Sequence, residues 1–409
     1  MRLLYTIGIR FYTLGVRVAS LWNPKARQMC QGWQRLFEKI PDQRIGEGKT
    51  AWFHASSLGE FEQARPVLEQ FKREHPDYRI CLTFFSPSGY EVRKNYAEAD
   101  IICYLPLDTP MNVRRFLSLV QPEVAFFIKY EFWGNMLEEL HRRNIPTYLV
   151  SGIFRKRQIF FKWYGRSMRP VLRLFNHIFV QDEESKQLLE GLKVKNVTIC
   201  GDTRFDRVIA IQQQAKQYQW AADFQSSSKF TLIAGSSWPK DEDIFIDHFN
   251  KHPEMKLIIA PHEIHESHVK DIISKLKRPY MRYSELDESK VKDVDCIIID
   301  AIGFLSSIYR YGDIAYIGGG FGVGIHNTLE AAVYGIPVVF GPNHTAFREA
   351  LGLLEVGGGF TFSDGSSYNA LMDSFIADRE KLTDAGKKAG AYVVDNSGAS
   401  DAIFNAVFK

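Results

Sequence analysis

Residues 313–342 read DIAYIGGGFGVGIHNTLEAAVYGIPVVFGP. The run from Asp313 to Gly319 is apolar enough for a buried strand. The loop after it carries Gly318, Gly319, Gly320, Gly322 and Gly324. A helix entrance follows with His326, Asn327 and Glu330, and residues 337–342 form a second strand. Strand, glycine loop, helix and strand make one parallel β-α-β unit.

The same alternation extends outward in both directions. Upstream, 230–237 and 255–261 read as strands around a helix near 241–252, and 294–300 as another strand. Earlier still, 51–56, 79–85, 100–106, 123–130, 147–152 and 177–181 read as strands separated by helical segments. Alternation of this kind indicates parallel sheets in α/β domains. Residues 207–228, rich in Gln, Ala and Ser, separate the two runs and read as a connection. The expected organisation is a helix at 1–22, a Rossmann-like domain at 23–206, the connection at 207–228 and a second Rossmann-like domain at 229–409.

The first 22 residues, MRLLYTIGIRFYTLGVRVASLW, are apolar but contain arginines at 2, 10 and 17, which leaves no uncharged span of about 20 residues. At about 100° per residue, Arg2, Thr6, Arg10, Thr13, Arg17 and Ser20 fall within an arc of roughly 80°. The remaining perimeter is apolar. Residues 1–35 hold six Lys/Arg and no acid. A basic stripe beside a wide apolar face suits the plane of an anionic membrane surface. The same pattern also fits a helix packed on its own domain with snorkelling arginines.

The totals bound the function. A net charge of +3 over 409 residues gives no general affinity for nucleic acid. The five cysteines are scattered and no Cys/His cluster stands out, so neither a disulfide framework nor a zinc site is expected. Cys81, Cys103, Cys200 and Cys296 lie in or beside apolar runs and are expected to be buried thiols. A second basic segment runs from 154 to 173 with seven Lys/Arg, no acid and several aromatics. It includes Arg155, and its Lys162, Arg166, Arg169 and Arg173 share one face if the segment is an α-helix. That face suits a phosphorylated lipid or an anionic surface; a plain solvated face has the same pattern.

Ligands of doubly wound sheets bind at the carboxyl ends of the strands, where helices begin. Three such entrances carry chemistry. In HASSLGEF (54–61), Glu60 stands in a helix's first turn. It fits a general base for an acceptor hydroxyl, and equally the S-x-x-E capping box with Ser57. In the opening stretch, the glycines allow backbone N–H groups to approach an anion. Asn327 there reads as the N-cap, with Glu330 at the third helical position. Glu330 can accept from ribose hydroxyls, or it can be a capping partner. The loop has no G-x-G-x-x-G opening a helix and no Walker lysine, so a monophosphate nucleotide fits better than NAD or ATP. In AGSSWP (234–239), Ser236 and Ser237 either meet the same phosphate or cap the following acidic helix. Glu131, in KYEFWGN (129–135), is either a partly desolvated cleft carboxylate or a surface residue beside a core tryptophan. Asp293 and Asp295 have D-x-D spacing but precede a strand, so they read as solvated flanking charge. Asp241, Glu242 and Asp243 read as an acidic first turn.

The ordered set HASSLGE, EFWGN, GDTRFD (201–206), AGSS and GGGFGVGIHNTLEAAVYGIPVVFGP resembles the 3-deoxy-D-manno-octulosonic acid (Kdo) transferases, over nearly the whole chain. The resemblance implies the GT-B type of fold: two Rossmann-like domains facing a cleft, with the last helices crossing back to the first. It implies an inverting, metal-independent transfer of Kdo from CMP-Kdo to a lipid A precursor (lipid IVA) at the cytoplasmic face of the inner membrane. No separate cofactor is implied. Glu60 would be the base and Glu131 a second essential carboxylate. Ser236, Ser237, Pro261, His262, Gly319, Gly320, Asn327 and Glu330 would hold CMP. Arg10, Arg17 and the basic segment would face the acceptor and membrane. Three positions depart from the family's pattern. Pro261-His262-Glu263 replaces its P-R-H, Gly303-Phe304-Leu305 its G-E-L, and Lys129 the first carboxylate of its E-T-E-L-W. A nucleotide-sugar epimerase of related fold, and a membrane-bound binding protein without catalysis, are the other readings.

Overall fold

The computed structural model describes residues 2–43, 48–322 and 324–408. The side chain of Arg2, residues 44–47 of the polar stretch after the first helices, and Val323 of the glycine loop lie outside the described residues. The chain forms two compact units, Met1–Arg207 with Ser397–Lys409, and Val208–Asn396.

The first unit holds strands β1 (Thr50–Ala55), β2 (Arg79–Phe84), β3 (Ile101–Tyr104), β4 (Pro122–Ile128), β5 (Thr147–Gly152), β6 (His177–Val180) and β7 (Val197–Ile199). They pair in the order β3-β2-β1-β4-β5-β6-β7, all parallel. Every residue of β1 and β2 is buried, as a sheet covered on both faces requires. Strand order reverses between β1 and β4, and the crevice of a doubly wound sheet opens at that reversal. Glu60 follows β1 and Glu131 follows β4. The helix Leu58–Glu74 after β1 runs unbroken through Pro66.

The second unit repeats the plan with β8 (Phe230–Ser237), β9 (Met255–Pro261), β10 (Tyr280–Arg282), β11 (Cys296–Ile298), β12 (Ile314–Ile317), β13 (Val338–Phe340) and β14 (Gly359–Thr361). Their order is β10-β11-β9-β8-β12-β13-β14, again all parallel. The reversal lies between β8 and β12, so AGSS and the glycine loop emerge side by side.

The helix Arg2–Ala19 rests on the first unit through a polar and aromatic face. The Tyr5 hydroxyl donates to Asp108 Oδ2 at 2.7 Å, and the Asn135 amide donates to the Thr6 hydroxyl at 3.2 Å. The wheel therefore needs correcting. Thr6 is buried and Thr13 half-buried, so they belong to the docked face and not to a solvated stripe. Arg10 and Arg17 flank that face. Leu3, Leu4, Phe11 and Leu14 stand exposed, each more than half accessible. No helix among the described residues is long and apolar enough to cross a membrane.

Two further expectations change, those for the basic segment and for Cys200. The basic segment is not an α-helix: residues Trp163–Leu174 form a 3-10 run containing Pro170. At three residues per turn, Lys162, Arg166, Arg169 and Arg173 no longer share one face. Arg169 Nε donates to the Phe160 carbonyl, and Arg173 donates to the Leu192 carbonyl, so both brace local backbone. Residues 207–228 are mostly helical, in Thr203–Gln214 and Gln219–Ser226, because Trp220, Ala221 and Phe224 are buried. Cys200 is half-buried, unlike Cys81, Cys103 and Cys296; all five thiols are free.

After the helix Arg379–Asp395 the chain returns to the first unit. Asp206 accepts from the Gly398 and Ser400 N–H groups and from the Ser400 hydroxyl. Ile403 and Phe404 of the helix Ala399–Phe408 join the core that contains Phe53, Phe71 and Phe126.

Candidate active site and donor site

In the first unit, β1 delivers His54 as a fully buried side chain and ends at Ala55. Ser57 is the N-cap of the next helix, its hydroxyl accepting from the Glu60 N–H at 3.5 Å. The Glu60 carboxylate does not close a capping box on Ser57. Oε2 instead accepts from the Ser56 N–H at 2.6 Å, one residue earlier. Burial and the charge of Glu131 push the Glu60 carboxyl up to about 7, against the opposing pull of the Ser56 N–H, His54 and Lys129. A carboxylate with that affinity for a proton is matched to general-base work near neutral pH.

Glu131 is buried at 6% exposure, so the surface reading of it does not hold. Its Oε2 lies 2.9 Å from His54 Nε2 and also accepts from Trp133 Nε1. On the other side of the ring, His54 Nδ1 lies 2.9 Å from the Thr83 hydroxyl. The Thr83 carbonyl oxygen lies 3.1 Å from the same Nδ1. Strand β4 is followed by Lys129, a non-glycine residue with left-handed φ of 64°. Such a backbone is costly and concentrates at functional sites. It turns the chain so that Tyr130 and Glu131 follow the strand end. The guanidinium groups of Arg155 and Arg157 oppose the rise that burial gives the Tyr130 hydroxyl, which places both within electrostatic reach of this corner. The sequence reading included Arg155 and missed Arg157. His54 was also missed, although its place at the end of a buried strand just before S-S-L-G-E was a usable signal.

In the second unit, Ser236 has a φ of 54° at the end of β8. Ser237 is fully buried and donates to Glu242 Oε1 at 2.8 Å, while His268 Nε2 lies 2.9 Å from Oε2 of the same glutamate. Neither serine caps the following helix Pro239–Lys251; its N-cap is Trp238. Asp241 is more than the acidic first turn expected of it. It is 1% exposed, accepts from the Tyr316 hydroxyl at 2.9 Å, and accepts from the Gly319 N–H at 2.9 Å.

That last bond changes the reading of the glycine loop. The N–H of Gly319 is held by Asp241, that of Gly318 by the Gly235 carbonyl, and those of Gly322 and Gly324 by the Gly319 carbonyl. The loop's donors are thus largely used within the protein. Its glycines serve close approach instead. A Cβ on Gly318 would stand 2.1 Å from the Ser236 carbonyl oxygen, and one on Gly320 would stand 2.6 Å from Gly341 backbone. Asn327 is not the N-cap either. Thr328 precedes the short helix Leu329–Ala332, and Glu330 is its second residue. Asn327 Oδ1 accepts from the Leu329 N–H at 3.2 Å and Nδ2 donates to Glu330 Oε1 at 3.0 Å.

Pro261 ends β9, and the ring of His262, which follows, packs against two other rings. Trp238 lies 4.6 Å from it, centroid to centroid, and His326 4.5 Å. Trp238 Nε1 donates to His326 Nε2 at 3.3 Å, which leaves the His326 proton on Nδ1. Burial and His262 lower the His326 pKa, so it stays neutral at pH 7. The structure thus gathers Ser236, His262, His326, Asn327 and Glu330 at the strand ends of one unit, and Glu60 and Glu131 at those of the other. Arg10 and Arg17 lie on the first helix, and Arg166, Arg169 and Arg173 on the 3-10 run.

A family model described as 3-Deoxy-D-manno-octulosonic-acid transferase (kdotransferase) matches residues 31–207. The 3-deoxy-D-manno-octulosonic acid transferase of Aquifex aeolicus (strain VF5) is 30% identical over 298 residues, 71% of this chain and 75% of that protein. The chain belongs to the 3-deoxy-D-manno-octulosonic acid transferase family. This agrees with the family indicated by the ordered motifs, and makes the protein a glycosyltransferase, a Kdo transferase of lipopolysaccharide biosynthesis. The relative in Chlamydia muridarum (strain MoPn / Nigg) is 28% identical over 90% of this chain and 87% of its own length. Among solved structures, UDP-GlcNAc 2-epimerase from Neisseria meningitidis matches the transferase with a TM-score of 0.61 at 16% identity, covering 88% of this chain and 99% of the other. MurG of Acinetobacter baumannii matches with a TM-score of 0.55 at 10% identity, covering 88% and 99%. At such identities the likeness is one of fold, and the fold is of the GT-B type.

Proposed function

We propose that the transferase uses CMP-Kdo as donor and a hydroxyl of a phosphorylated lipid A precursor as acceptor, with inversion at the anomeric carbon. The Glu60 carboxylate takes the proton of the acceptor hydroxyl. The hydroxyl oxygen bonds to the anomeric carbon of Kdo as the bond to the CMP phosphate oxygen breaks. The electron pair leaves on that oxygen and CMP departs. The observation that carries this reading is Glu60 itself: a carboxylate at a strand end, raised by burial and by Glu131 to a pKa near 7. A base of that strength is ionised at working pH yet still draws a proton.

On this reading Ser236, His262 and Asn327 hold CMP beside the glycine loop, and Glu330 accepts from the ribose. Gly319, Gly320 and Ser237 act by shaping that pocket. The ring pair His262–His326 takes the place of the family's arginine. A phosphate leaving group needs no Lewis acid when fixed donors meet its developing charge, so the transfer is metal-independent. Arg155 and Arg157, near Tyr130, attract the acceptor's phosphates. The exposed apolar residues of the first helix, with Arg10 and Arg17 at their border, hold the protein on the cytoplasmic face of the inner membrane.

The test is CMP release from CMP-Kdo made in situ, with a tetraacylated lipid A precursor and EDTA present, and mass spectrometry of the lipid. Wild type is expected to add Kdo, and Glu60→Ala to lose at least about 10²-fold in rate, the scale of general-base loss. An unmodified lipid with folded wild-type protein overturns the choice of substrates. Full activity in Glu60→Ala overturns the base.

A further inference from the structure

The end of the second unit opposite its candidate donor site carries a side-chain cluster that the transfer reaction does not use. His248 lies near the end of the helix Pro239–Lys251, and His252 is that helix's C-cap. Asp373 comes from the helix Gly365–Ala377, 121 residues further on. His248 Nε2 stands 2.8 Å from Asp373 Oδ1, and His252 Nε2 stands 3.3 Å from the same oxygen. The candidate ligand atoms of the three residues all lie within 4.8 Å of one another. The segment 252–254 leads into the amino end of β9, whereas Pro261 and Ser237 mark the carboxyl ends, so the cluster is a strand's length away from His262.

We propose that His248, His252 and Asp373 form a site for a divalent transition metal of the zinc type, which ties the helix Pro239–Lys251 to the helix Gly365–Ala377. Four features support it. The histidines are four residues apart, the spacing by which one helix offers two imidazoles to one ion. Their rings are stacked, 4.0 Å between centroids and 19° between planes, and both Nε2 atoms face Asp373 Oδ1. His252 Nδ1 faces Glu254 Oε1 at 3.1 Å, the carboxylate support that commonly fixes the tautomer of a ligating histidine. The helices Pro239–Lys251 and Gly365–Ala377 that supply the ligands pack against each other.

The ion takes the place now held by Oδ1, between the two Nε2 atoms, and the Asp373 side chain withdraws to ligand distance. At 52% exposure it is free to do so, and solvent fills a fourth position. Two imidazoles and one carboxylate select zinc over magnesium or calcium, which prefer oxygen ligands. Binding at Nε2 moves the His248 proton to Nδ1, which is buried without a hydrogen-bond partner. That cost sets an affinity well below that of fully supported structural zinc sites. The cluster is not legible in the sequence, because Asp373 is remote in the chain and H-x-x-x-H alone marks only one helix face.

The full-length protein, stripped with EDTA and exchanged into metal-free buffer, is titrated with zinc chloride by calorimetry and with cobalt chloride by visible absorption. One equivalent of zinc is expected, with the absorption of tetrahedral cobalt and a rise in melting temperature on adding zinc. Asp373→Asn and His252→Ala should each weaken binding at least about tenfold and abolish the rise. Glu254→Gln should weaken it by about 10- to 100-fold, as loss of an outer-shell partner does. Circular dichroism of the exposed-site variants checks folding. No uptake by wild type at millimolar zinc, or equal uptake by His252→Ala and Asp373→Asn, overturns the site. No donor or acceptor is present, so the result is independent of the proposed reaction.

Discussion

Glu131 and His54 stand 2.9 Å apart, carboxylate to imidazole, in a corner where both are buried. They come from the two central strands of the first sheet: His54 pairs with Phe127 in register, and Glu131 follows four residues later. Trp133 donates to the same carboxylate oxygen. His54 is therefore a positioning residue, which holds the charge that in turn raises the proton affinity of Glu60.

His54→Phe tests this relation. An aromatic ring is kept, somewhat larger than imidazole, and the edge contacts with Phe127 and Trp133 survive. Glu131 loses one of its two donors while still buried. Stability should fall by about 1–3 kcal/mol, the cost of an unsatisfied buried polar group. The rate should fall with little change in the Michaelis constant for the donor, and the acid limb of the pH profile should move. Thermal melting and steady-state kinetics read both effects; an unmoved acid limb would leave His54 a purely structural residue.

The pH dependence follows from Glu60. A general base must be ionised, so activity should rise through about pH 7 and not through the ordinary carboxylate value of 4.5. Lys129 now pulls that pKa down, and it stands where the family's motif has a carboxylate. Lys129→Met should move the limb upward. Stability carries the same sign. A folded-state pKa raised above the unfolded one favours the protonated protein. The ionised form is thus penalised increasingly from pH 4.5 to about 7, and fully above that. Glu60→Gln should therefore melt higher than wild type at pH 8 and lose the advantage at pH 4.5 and below.

The glycine loop yields a steric prediction. Gly320→Ala would place a Cβ 2.6 Å from the backbone of Gly341, which cannot yield as a flexible side chain can. A loss of about 1–3 kcal/mol is expected, in the range of overpacking. Gly322→Ala, whose Cβ would have its nearest neighbour at 3.8 Å, should be far milder. Denaturant melts of the pair decide whether close approach or anion binding explains the glycines.

Leu4 and Phe11 are 75% and 70% exposed on the first helix, whose other face is docked through Tyr5 and Thr6. Leu4→Ser with Phe11→Ser should leave the fold unchanged. It should weaken binding to vesicles of anionic phospholipid by about 10²-fold or more, since each such side chain is worth about 1.5–3 kcal/mol on burial. Sedimentation with vesicles measures it. Equal binding by the double variant would move the membrane contact elsewhere.

Strand–helix alternation made the two sheets legible, because strands buried on both faces read as continuous apolar runs. Short edge strands such as β7, β10 and β14 were not, since three residues carry no pattern. Glu60 and Glu131 were visible as carboxylates at strand ends. What the sequence could not show was which partners they meet: His54 and Thr83 are 29 residues apart, and His54 and Glu131 77. The same limit explains the misread Asp241, whose buried bonds to Tyr316 and Gly319 span 75 and 78 residues. The 3-10 run was missed because charge periodicity alone does not distinguish three residues per turn from 3.6, although Pro170 argued against an α-helix.

The bonds from Asp206 to Gly398 and Ser400 bear on how the protein is made. They join segments more than 190 residues apart, and Ile403 and Phe404 complete a core begun by Phe53 and Phe71. During synthesis the first unit emerges first, yet it lacks the helix Ala399–Phe408 until those residues are made. At about 5–20 residues per second the wait is roughly 10–40 s. Through that interval Phe53, Phe71 and Phe126 lack the cover of Ile403 and Phe404, and the second unit receives all its residues before the first does. The first unit to be started is thus the last to be finished, and removal of residues 399–408 should lower the yield of folded protein.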